Sequence, residues 1–315
     1  MASLDIKTIH LELAKKDFIV FAGTGTCSGT GVEPEWKKLL EALYEKYNVS
    51  GVTLNDVEEY NYPEIAQMIF NEYEKRRKID EYYEIIERVL KANVAPYSTL
   101  QLESVLTTGH IVTTNFERSF EKAFETRLEA QNKDREISTQ TLPNINVDIL
   151  NKDFCLTYLH GRIDIKQIVF TISEYEKFYS SKSNLIKFLE SVFCQHIIVF
   201  IGFSFLDRYL KKTLEKVYND IERDKEERDT LITKSKEETK QIHYRHYAFL
   251  RKRSKTKEEL LKEQKFDDYL EAIGIGVIRY NQHVEVIECL KKVREHKKMR
   301  EPLRKVVRQD EKSIL

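Results

Sequence analysis

The sequence predicts an α/β protein of the Rossmann-like class, with a parallel sheet, helices on both of its faces and an inserted helical subdomain. Short apolar, β-prone runs alternate along the chain with amphipathic helical stretches, which is typical of a parallel sheet. The strand runs are apolar at nearly every position, as expected for strands covered on both faces. The 315 residues are 41% hydrophobic and include only 10 glycines and 5 prolines, a composition that excludes disordered and collagen-like chains.

The first predicted unit is a strand, a glycine-rich loop and a helix. The strand covers Phe18–Ala22 and ends at a cluster of four glycines within nine residues. Pro34 introduces a helix over 35–47, because proline suits the first turn of a helix. The segment 55–93 has apolar residues at helical spacing throughout, which is too long for one crossover connection. A helical insertion of about 55–105 is therefore expected after the first unit.

Strands and helices continue to alternate in the rest of the chain. Strands are predicted at 111–114, 154–159, 167–171, 196–201, 246–250 and 275–280, and helices at 116–130, 185–194 and 257–273. A highly charged segment at about 208–242 is expected to protrude as a solvated helix or helical hairpin, because acidic and basic residues alternate within it. The whole is predicted to form one domain over 1–300 with a polar tail at 301–315.

Charge, hydropathy and cysteine spacing exclude several classes of protein. Lys and Arg number 52, as do Asp and Glu, so no net field would attract nucleic acid or an anionic membrane. No apolar run approaches the roughly 20 residues of a membrane span, and the N-terminus lacks the order of a signal peptide. The four cysteines are far apart and have no zinc-binding spacing. We expect a cytoplasmic protein without a metal.

Open parallel sheets bind ligands beyond the carboxyl ends of their strands, so the residues at those positions are candidates. After the first strand come Gly23, Thr24, Gly25, Thr26, Cys27, Ser28 and Gly29. Backbone N–H groups of such a loop can hold a pyrophosphate, or the glycines can simply form a tight turn. The spacing matches neither GxGxxG nor a P-loop. After the second strand, Asn115 could order a water or a ribose hydroxyl, or could cap the next helix.

Two later strands also end in polar residues beside a glycine. His160 and Gly161 follow the third strand, and a lone histidine is commonly structural, but the glycine lets backbone or ligand approach. Gly202, Ser204 and Asp207 follow the strand at 196–201, where Ser204 or Asp207 could cap a helix or contact a ligand. Each signal is ambiguous alone, and their common position at one sheet edge favours a ligand site.

Four motifs in this order resemble the sirtuin family: Phe-Ala-Gly-Thr-Gly-Thr at 21–26, Thr-Thr-Asn-Phe-Glu at 113–117, Leu-His-Gly at 159–161 and Ile-Gly-Phe-Ser-Phe-Leu-Asp at 201–207. They resemble most the bacterial, defence-associated sirtuin-like domains that hydrolyse NAD, and the resemblance covers about 17–285. Thr24 stands where alanine is usual, Glu117 where aspartate is commoner, and Cys27 at or beside the family's serine. The zinc cysteines and the substrate-groove signature of protein deacylases are missing.

The resemblance implies that NAD+ is the substrate and that its nicotinamide–ribose bond is cleaved. By resemblance, Asn115 orders the attacking water and a ribose hydroxyl, and His160 is the general base. The residues that the resemblance assigns to NAD+ binding are Gly23, Thr24, Gly25, Thr26, Ser28, Thr114, Glu117, Gly202, Ser204 and Asp207. Trp36 either lines the pocket or packs the helix that contains it.

Three functions remain open at this point. The first is an NAD+ hydrolase that depletes NAD in bacterial anti-phage defence, gated by self-assembly or by a partner such as an ATPase. The second is an NAD-dependent protein deacylase or ADP-ribosyltransferase, which the missing zinc module disfavours. The third is a nucleotide-binding sensor or scaffold without catalysis, which would have no need of both Asn115 and His160.

Overall fold

Seven parallel strands form the centre of the molecule in the computed structural model. The structure describes residues 4–27, 36–47, 49, 61–90, 97–130, 136–231, 245–253 and 256–313, without side chains at 224–231 and 301–313. The strands of this sheet are β1 (Phe18–Ala22), β2 (His110–Thr113), β3 (Ser138–Thr141), β4 (Cys155–Tyr158), β7 (Ile197–Ile201), β8 (His246–Arg251) and β9 (Ile275–Tyr280). Two short strands, β5 (Gly161–Arg162) and β6 (Gln167–Ile168), lie outside it.

The helices surround this sheet and build a separate helical lobe. They are α1 (Ile9–Leu13), α2 (Trp36–Tyr47), α3 (Tyr62–Lys75), α4 (Ile79–Val89), α5 (Thr99–Thr107), α6 (Ser119–Ala130), α7 (Ile172–Phe178), α8 (Asn184–Gln195), α9 (Arg208–Leu231), α10 (Lys257–Ala272) and α11 (His283–Ser313). Among the described helices, none combines the length and the apolar character that crossing a membrane requires.

The strand order is β3-β4-β2-β1-β7-β8-β9, and every pair in this sheet is parallel. The central strand β1 has β2 on one side and β7 on the other, so the chain completes the β2, β3 and β4 side of the sheet before it crosses to the β7, β8 and β9 side. This confirms the predicted Rossmann-like α/β class. The reversal of strand order places the expected ligand crevice at the carboxyl ends of β1, β2 and β7.

Alternate residues of β1 supply the cores of the two sheet faces, because successive side chains of a strand point to opposite sides. Ile19 and Phe21 join the cluster covered by α7, α8, α9 and α10. Phe18, Val20 and Ala22 join the cluster covered by α1, α5, α6 and α11. All five side chains are buried, which explains why the first strand is apolar at every position.

The helices α2, α3 and α4 share a third apolar cluster that also takes in residues from the carboxyl edge of the sheet, including Phe116 and Phe170. Helix α5, by contrast, packs with the sheet through Leu100 and Val105. The insertion predicted at about 55–105 therefore includes one helix that belongs to the sheet layer. The part of that insertion at 50–60 and 91–96, with Pro34 of the preceding segment, lies outside the described residues.

Several predicted boundaries differ from the structure. The predicted strand 167–171 is wrong beyond Ile168, because Thr171 accepts the N–H of Glu174 and begins α7 in a capping box. The short strands β5 and β6 pair antiparallel, apart from the main sheet. The predicted helix 116–130 begins only at Ser119. The polar strand β3 and the helices α1 and α11 have no predicted counterpart, and α11 carries helical backbone through most of the predicted tail.

The charged segment predicted to protrude at about 208–242 begins as α9. Its first turns pack on the domain, since Leu210, Leu214 and Val217 are buried in the cluster that also contains α8. Side chains are not described beyond Arg223, and 232–244 lie outside the described residues. Protrusion of the rest of this segment stays a prediction.

Two loops cross at the centre of the carboxyl edge with their backbones in contact. The N–H of Gly23 donates to the carbonyl of Ile201 at 3.0 Å, and the N–H of Gly25 donates to the carbonyl of Gly202 at 2.9 Å. A Cβ at Gly202 would lie 2.4 Å from the backbone nitrogen of Thr26, and Gly202 has φ +64. These glycines are therefore required by the approach of one loop to the other.

We expect Gly202→Ala to lower the free energy of unfolding by about 3 kcal/mol, because left-handed backbone strain and overpacking each cost about 1–3 kcal/mol. Gly274→Ala is the matched control: its φ is +76, but its nearest neighbour would be the Tyr218 ring at 3.0 Å, so about 1 kcal/mol is expected. Urea denaturation measures both values. Equal losses would contradict the backbone crossing as the cause.

A buried histidine makes the fold sensitive to acid. His246 accepts the N–H of Ile198 at its Nδ1 across 3.2 Å, and burial, with a smaller effect of Arg245, lowers its pKa from 6.5 to about 3. Between pH 6.5 and about pH 3, His246 is therefore protonated in the unfolded chain but largely neutral in the folded chain. This group contributes stability above pH 6.5 that is lost progressively as the pH falls towards 3.

We expect His246→Asn, which keeps a hydrogen-bond acceptor near the Nδ1 position, to flatten the loss of stability in acid. The slope of unfolding free energy against pH should fall by up to about 1.4 kcal/mol per pH unit between pH 4 and 6. Denaturant titrations at several pH values measure this slope. His110→Asn, at a surface histidine bonded to the carbonyl of Lys152, serves as the control. The prediction fails if both variants retain the wild-type slope.

Candidate active site

A hydrogen-bonded cluster of three side chains lies beyond the carboxyl ends of β1 and β2. Asn115 donates from Nδ2 to Oε1 of Glu117 at 3.2 Å and to Sγ of Cys27 at 3.3 Å. Cys27 in turn donates to Oε1 of Glu117 at 3.3 Å. All three are buried, with Asn115 only 1% exposed and Glu117 0% exposed. The sequence motifs after the first two strands thus meet in one polar cluster.

Two oxygen atoms of this cluster lack a hydrogen-bond partner within the part of the chain that the structure describes. They are Oδ1 of Asn115 and Oε2 of Glu117, and both are buried. Buried polar atoms are nearly always satisfied, so an unpaired acceptor indicates a water or a ligand group that completes it. An amide oxygen and a carboxylate oxygen are acceptors, and the missing group is therefore a donor such as a hydroxyl or a water.

Cys27 acts here as a neutral hydrogen-bond donor. Burial, together with the neighbouring Glu117 carboxylate, raises the pKa of the thiol well above its usual value. A nucleophilic cysteine needs the opposite shift, since the thiolate is the reactive form. Cys27 stands at or beside the position of the serine in the sirtuin-like motif. Its thiol therefore helps to hold Glu117 and Asn115 in place.

A second cluster is built around His160, which follows β4. Its Nε2 lies 2.8 Å from the hydroxyl of Tyr179 and 3.2 Å from Oδ2 of Asp207. The same Oδ2 accepts the hydroxyl of Tyr175 at 3.3 Å. Burial, with a contribution from Asp207, raises the pKa of both tyrosines well above the usual value. Both phenols therefore stay protonated and neutral beside the histidine.

Asp207 and Tyr179 both face Nε2 of His160. The carboxylate of Asp207 favours a proton on Nε2, which would leave the lone pair of a neutral imidazole on Nδ1, while the Tyr179 hydroxyl can donate or accept at Nε2. Asp207 also begins α9, because its Oδ1 accepts the N–H groups of Tyr209 and Leu210 at 2.9 and 3.0 Å. Asp207 is therefore the helix cap through Oδ1 and faces His160 through Oδ2, while its contact with a ligand stays a prediction.

The sheet register brings the two clusters to the same edge. Thr113 of β2 pairs with Tyr158 of β4, and the N–H of Leu159 donates to the carbonyl of Thr113 at 2.8 Å. Asn115 and His160 each follow their strand by two residues, so both stand beyond neighbouring strand ends. An amide oxygen acceptor and a histidine base at one edge can together orient and deprotonate a hydroxyl or a water.

The glycine-rich loop differs from the expected phosphate cradle. The N–H groups of Gly23, Gly25 and Thr26 already donate to protein carbonyls, and the hydroxyl of Thr26 donates to the carbonyl of Gly23 at 2.7 Å. The glycines are therefore explained by the loop crossing. Thr24 and Ser204 are exposed and Thr114 is partly exposed, so these three can meet a ligand, whereas Ser28 lies outside the described residues.

Trp36 packs against the aromatic residues at the carboxyl edge. Its ring stacks on Phe170 with centroids 4.4 Å apart and lies 6.2 Å from the ring of Tyr62. Both partners belong to the apolar cluster of the helical lobe. This geometry favours the packing interpretation of Trp36 over a role in lining the pocket.

Three site residues have no strong sequence signal of their own. Gln101 on α5 donates from Nε2 to Oγ of Ser119 at 2.7 Å, and Ser119 donates to Oε1 of Glu117 at 2.7 Å. Ser98 donates to the carbonyl of Thr26 at 2.5 Å. The pattern Ser98-x-x-Gln101 is that of a capping box, which predicts a helix start but no contact with a loop 70 residues away.

Within the described residues, no group of three or more His, Cys, Asp or Glu side chains is placed to hold a metal ion. The site's chemistry is carried by an amide, an imidazole, carboxylates and hydroxyls. Such groups suit hydrogen bonding to ribose and water and the transfer of one proton.

Comparisons with known proteins give a family model and a relative that match this chain. A family model described as the SIR2-like domain matches residues 109–278, which include Asn115, His160 and Asp207. The NAD(+) hydrolase ThsA of Bacillus cereus (strain MSX-D12) is 24% identical over 312 residues, covering 93% of this chain and 57% of that protein. The chain thus spans little more than half the length of that relative.

We expect Asp207→Asn to change the tautomer of His160 without weakening α9. The new amide can donate to Nε2, which would shift the neutral ring towards the form protonated on Nδ1, while its oxygen still accepts the N–H groups that begin the helix. Nitrogen chemical shifts of the imidazole at mildly alkaline pH report the tautomer, and thermal unfolding reports the cap. Asp267→Asn, which alters the pair with Arg279, is the control. An unchanged His160 tautomer would contradict the assignment.

Proposed function

The chain belongs to the family of SIR2-like domains, and on that premise we propose that it is an NAD+ hydrolase that cleaves the nicotinamide–ribose bond. The single observation that carries the proposal is the unpaired, buried Oδ1 of Asn115 beyond the end of β2, with His160 beyond the neighbouring strand end. The relative from Bacillus cereus is itself named an NAD(+) hydrolase, which supports the same substrate.

The proposed reaction consumes one water and releases nicotinamide, ADP-ribose and a proton. The C–N bond to nicotinamide breaks with its electron pair going to the pyridine nitrogen, which loses its positive charge. The ribose carbon passes through an oxocarbenium-like state that water attacks from the opposite face. No separate acid is needed for the leaving group, so the protein's tasks are to position the ribose and the water and to accept a proton.

Asn115 and His160 divide these tasks. The free Oδ1 of Asn115 accepts from the attacking water or from a ribose hydroxyl, and Glu117 accepts from a second hydroxyl at its free Oε2. His160 accepts the proton at Nδ1, directly or through the ribose hydroxyls, while Asp207 stabilises the imidazolium that forms. Thr24, Thr114 and Ser204, with Ser28, supply polar groups for the rest of the NAD+ molecule. The glycines contribute by shaping the crevice.

The proposed biological role extends this activity: its place in defence rests on the resemblance to bacterial defence-associated sirtuin-like domains, and its gating on the chemistry. Continuous hydrolysis of NAD+ would poison the cell that makes the enzyme, so we infer that the activity is gated and acts in the cytoplasm as an anti-phage defence effector. Self-association or a partner such as an ATPase would provide the trigger. The helical insertion at about 55–105 and the charged segment at about 208–242 are the surfaces proposed for assembly.

We expect the purified chain to convert NAD+ into nicotinamide and ADP-ribose in equal amounts. Asn115→Ala and His160→Ala should each reduce the rate at least about 100-fold, because each removes a group that acts on the reacting atoms. His196→Ala, at the opposite edge of the sheet where α8 ends, should retain the wild-type rate. Chromatography of the products measures all four proteins.

The same assay separates the competing functions. ADP-ribose attached to protein would indicate a transferase, and unchanged NAD+ at every protein concentration would contradict hydrolysis and leave a binding role. A folded His160→Ala variant with full activity would overturn the mechanism. A rate per chain that does not rise with protein concentration would contradict gating by self-association.

A further inference from the structure

Gln101 is a wholly buried polar side chain whose two amide groups both have partners. It is 0% exposed. Its Oε1 accepts the backbone N–H of Ser98 at 2.8 Å, and its Nε2 donates to Oγ of Ser119 at 2.7 Å and, over a longer distance of 3.6 Å, to Sγ of Cys27, which itself donates to Glu117. It lies on α5, outside every motif that suggested the site. Its position at the end of a hydrogen-bonded chain that reaches Asn115 raises the question of what it does there.

The direction of every hydrogen bond in this chain follows from its first member. A backbone N–H can only donate, so the amide atom of Gln101 that faces Ser98 must be the oxygen, and Nε2 must face Ser119. Oγ of Ser119 accepts from Nε2, and its own hydrogen is therefore directed to Oε1 of Glu117, 2.7 Å away.

The last step of the chain orients Asn115. Oε1 of Glu117, held by Ser119 and Cys27, can only accept, so Asn115 must turn Nδ2 towards it. If the Asn115 amide were flipped, its Oδ1 would face Oε1 of Glu117. Two acceptor oxygens would then lie against each other in a buried site, which costs free energy. The carbonyl oxygen is thereby left pointing away from Glu117, as the one acceptor of this amide that no described residue satisfies.

We propose that Gln101 is a positioning residue for NAD+ cleavage, which acts through Ser119 and Glu117 to fix the direction in which Asn115 presents its amide oxygen. The inference rests on the proposed function and deepens it. It assigns α5, a helix of the sheet layer that does not reach the reacting atoms itself, a part in pre-organising the site. Held groups are more effective than mobile ones, because no reorientation is needed during the reaction.

If the role of Gln101 were purely structural, its replacement would be expected to change stability and not the catalytic rate. Gln101 also completes the capping box of α5, because its backbone N–H donates to Oγ of Ser98 at 3.0 Å. If capping were its whole contribution, replacing it would lower the unfolding free energy while each folded molecule kept its full kcat. A positioning role instead lowers kcat in the folded protein and leaves the KM for NAD+ nearly unchanged.

The test compares the kcat and KM for NAD+ of Gln101→Leu, Ser119→Ala and the double variant. Each variant is assayed at a temperature well below the one at which it unfolds. Misplacing a reacting group by about 1 Å costs about 100-fold, so each single variant should lose about 10- to 100-fold in kcat with KM changed by less than about 3-fold. The double variant should be no slower than the slower single variant, because both substitutions break the same chain.

Two further variants keep the result interpretable. Ser119→Thr retains the hydroxyl and should recover most of the activity that Ser119→Ala loses. Ser104→Ala removes a buried hydroxyl from the same helix α5, one that donates only to the carbonyl of Leu100 at 2.7 Å, and should keep the wild-type kcat. If Gln101→Leu fails to fold, the comparison of Ser119→Ala with Ser119→Thr carries the test.

The outcomes separate this inference from the proposed function. A wild-type chain that leaves NAD+ intact overturns the proposed function, and the positioning role falls with it. A wild-type chain that cleaves NAD+, with full kcat in folded Ser119→Ala and Gln101→Leu, overturns the positioning role alone. Multiplicative losses in the double variant would also overturn it, because they would show two independent contributions.

Discussion

The site depends on a carboxylate that is wholly removed from solvent. Oε1 of Glu117 accepts hydrogen bonds from Asn115 and Ser119, two residues away on either side of it, and from Cys27 on the distant loop after β1. A buried carboxylate is tolerated only where donors converge on it. Glu117 therefore holds the loop after β1, the loop after β2 and the start of α6 in one arrangement. The unpaired acceptors of this cluster, Oδ1 of Asn115 and Oε2 of Glu117, are the atoms that these hydrogen bonds do not use.

The loop crossing provides the rigid frame in which this convergence is possible. The loops that follow β1 and β7 touch backbone to backbone at Gly23, Gly25 and Gly202, so neither can shift without the other. Ser98 adds a bond from α5 to the carbonyl of Thr26, next to Cys27. The N–H groups of Gly23, Gly25 and Thr26, which a sequence motif would assign to phosphate, are used to build this frame.

The strands and the sheet edge of the site could be predicted from sequence because their signals are local. Runs such as Phe18–Ala22 and Ile275–Tyr280 are apolar at nearly every position, and Asn115 and His160 come two residues after such runs, with Asp207 six residues after another. The strand β3 reads Ser-Thr-Gln-Thr and lies at the sheet edge, half-exposed, so no apolar pattern indicates it. Gln101 could not be predicted as a site residue, because the side chains it contacts, Ser119 and Cys27, lie 18 and 74 residues away along the chain. No rule of sequence spacing predicts such contacts.

The position of Trp36 has a practical consequence. It is the only tryptophan of the chain, and its ring stacks with Tyr62 of the helical lobe and with Phe170 near the carboxyl edge of the sheet. Indole emission responds to the polarity of its surroundings. The intrinsic fluorescence of the unlabelled protein is thus a built-in optical reporter of how the lobe is seated over the crevice.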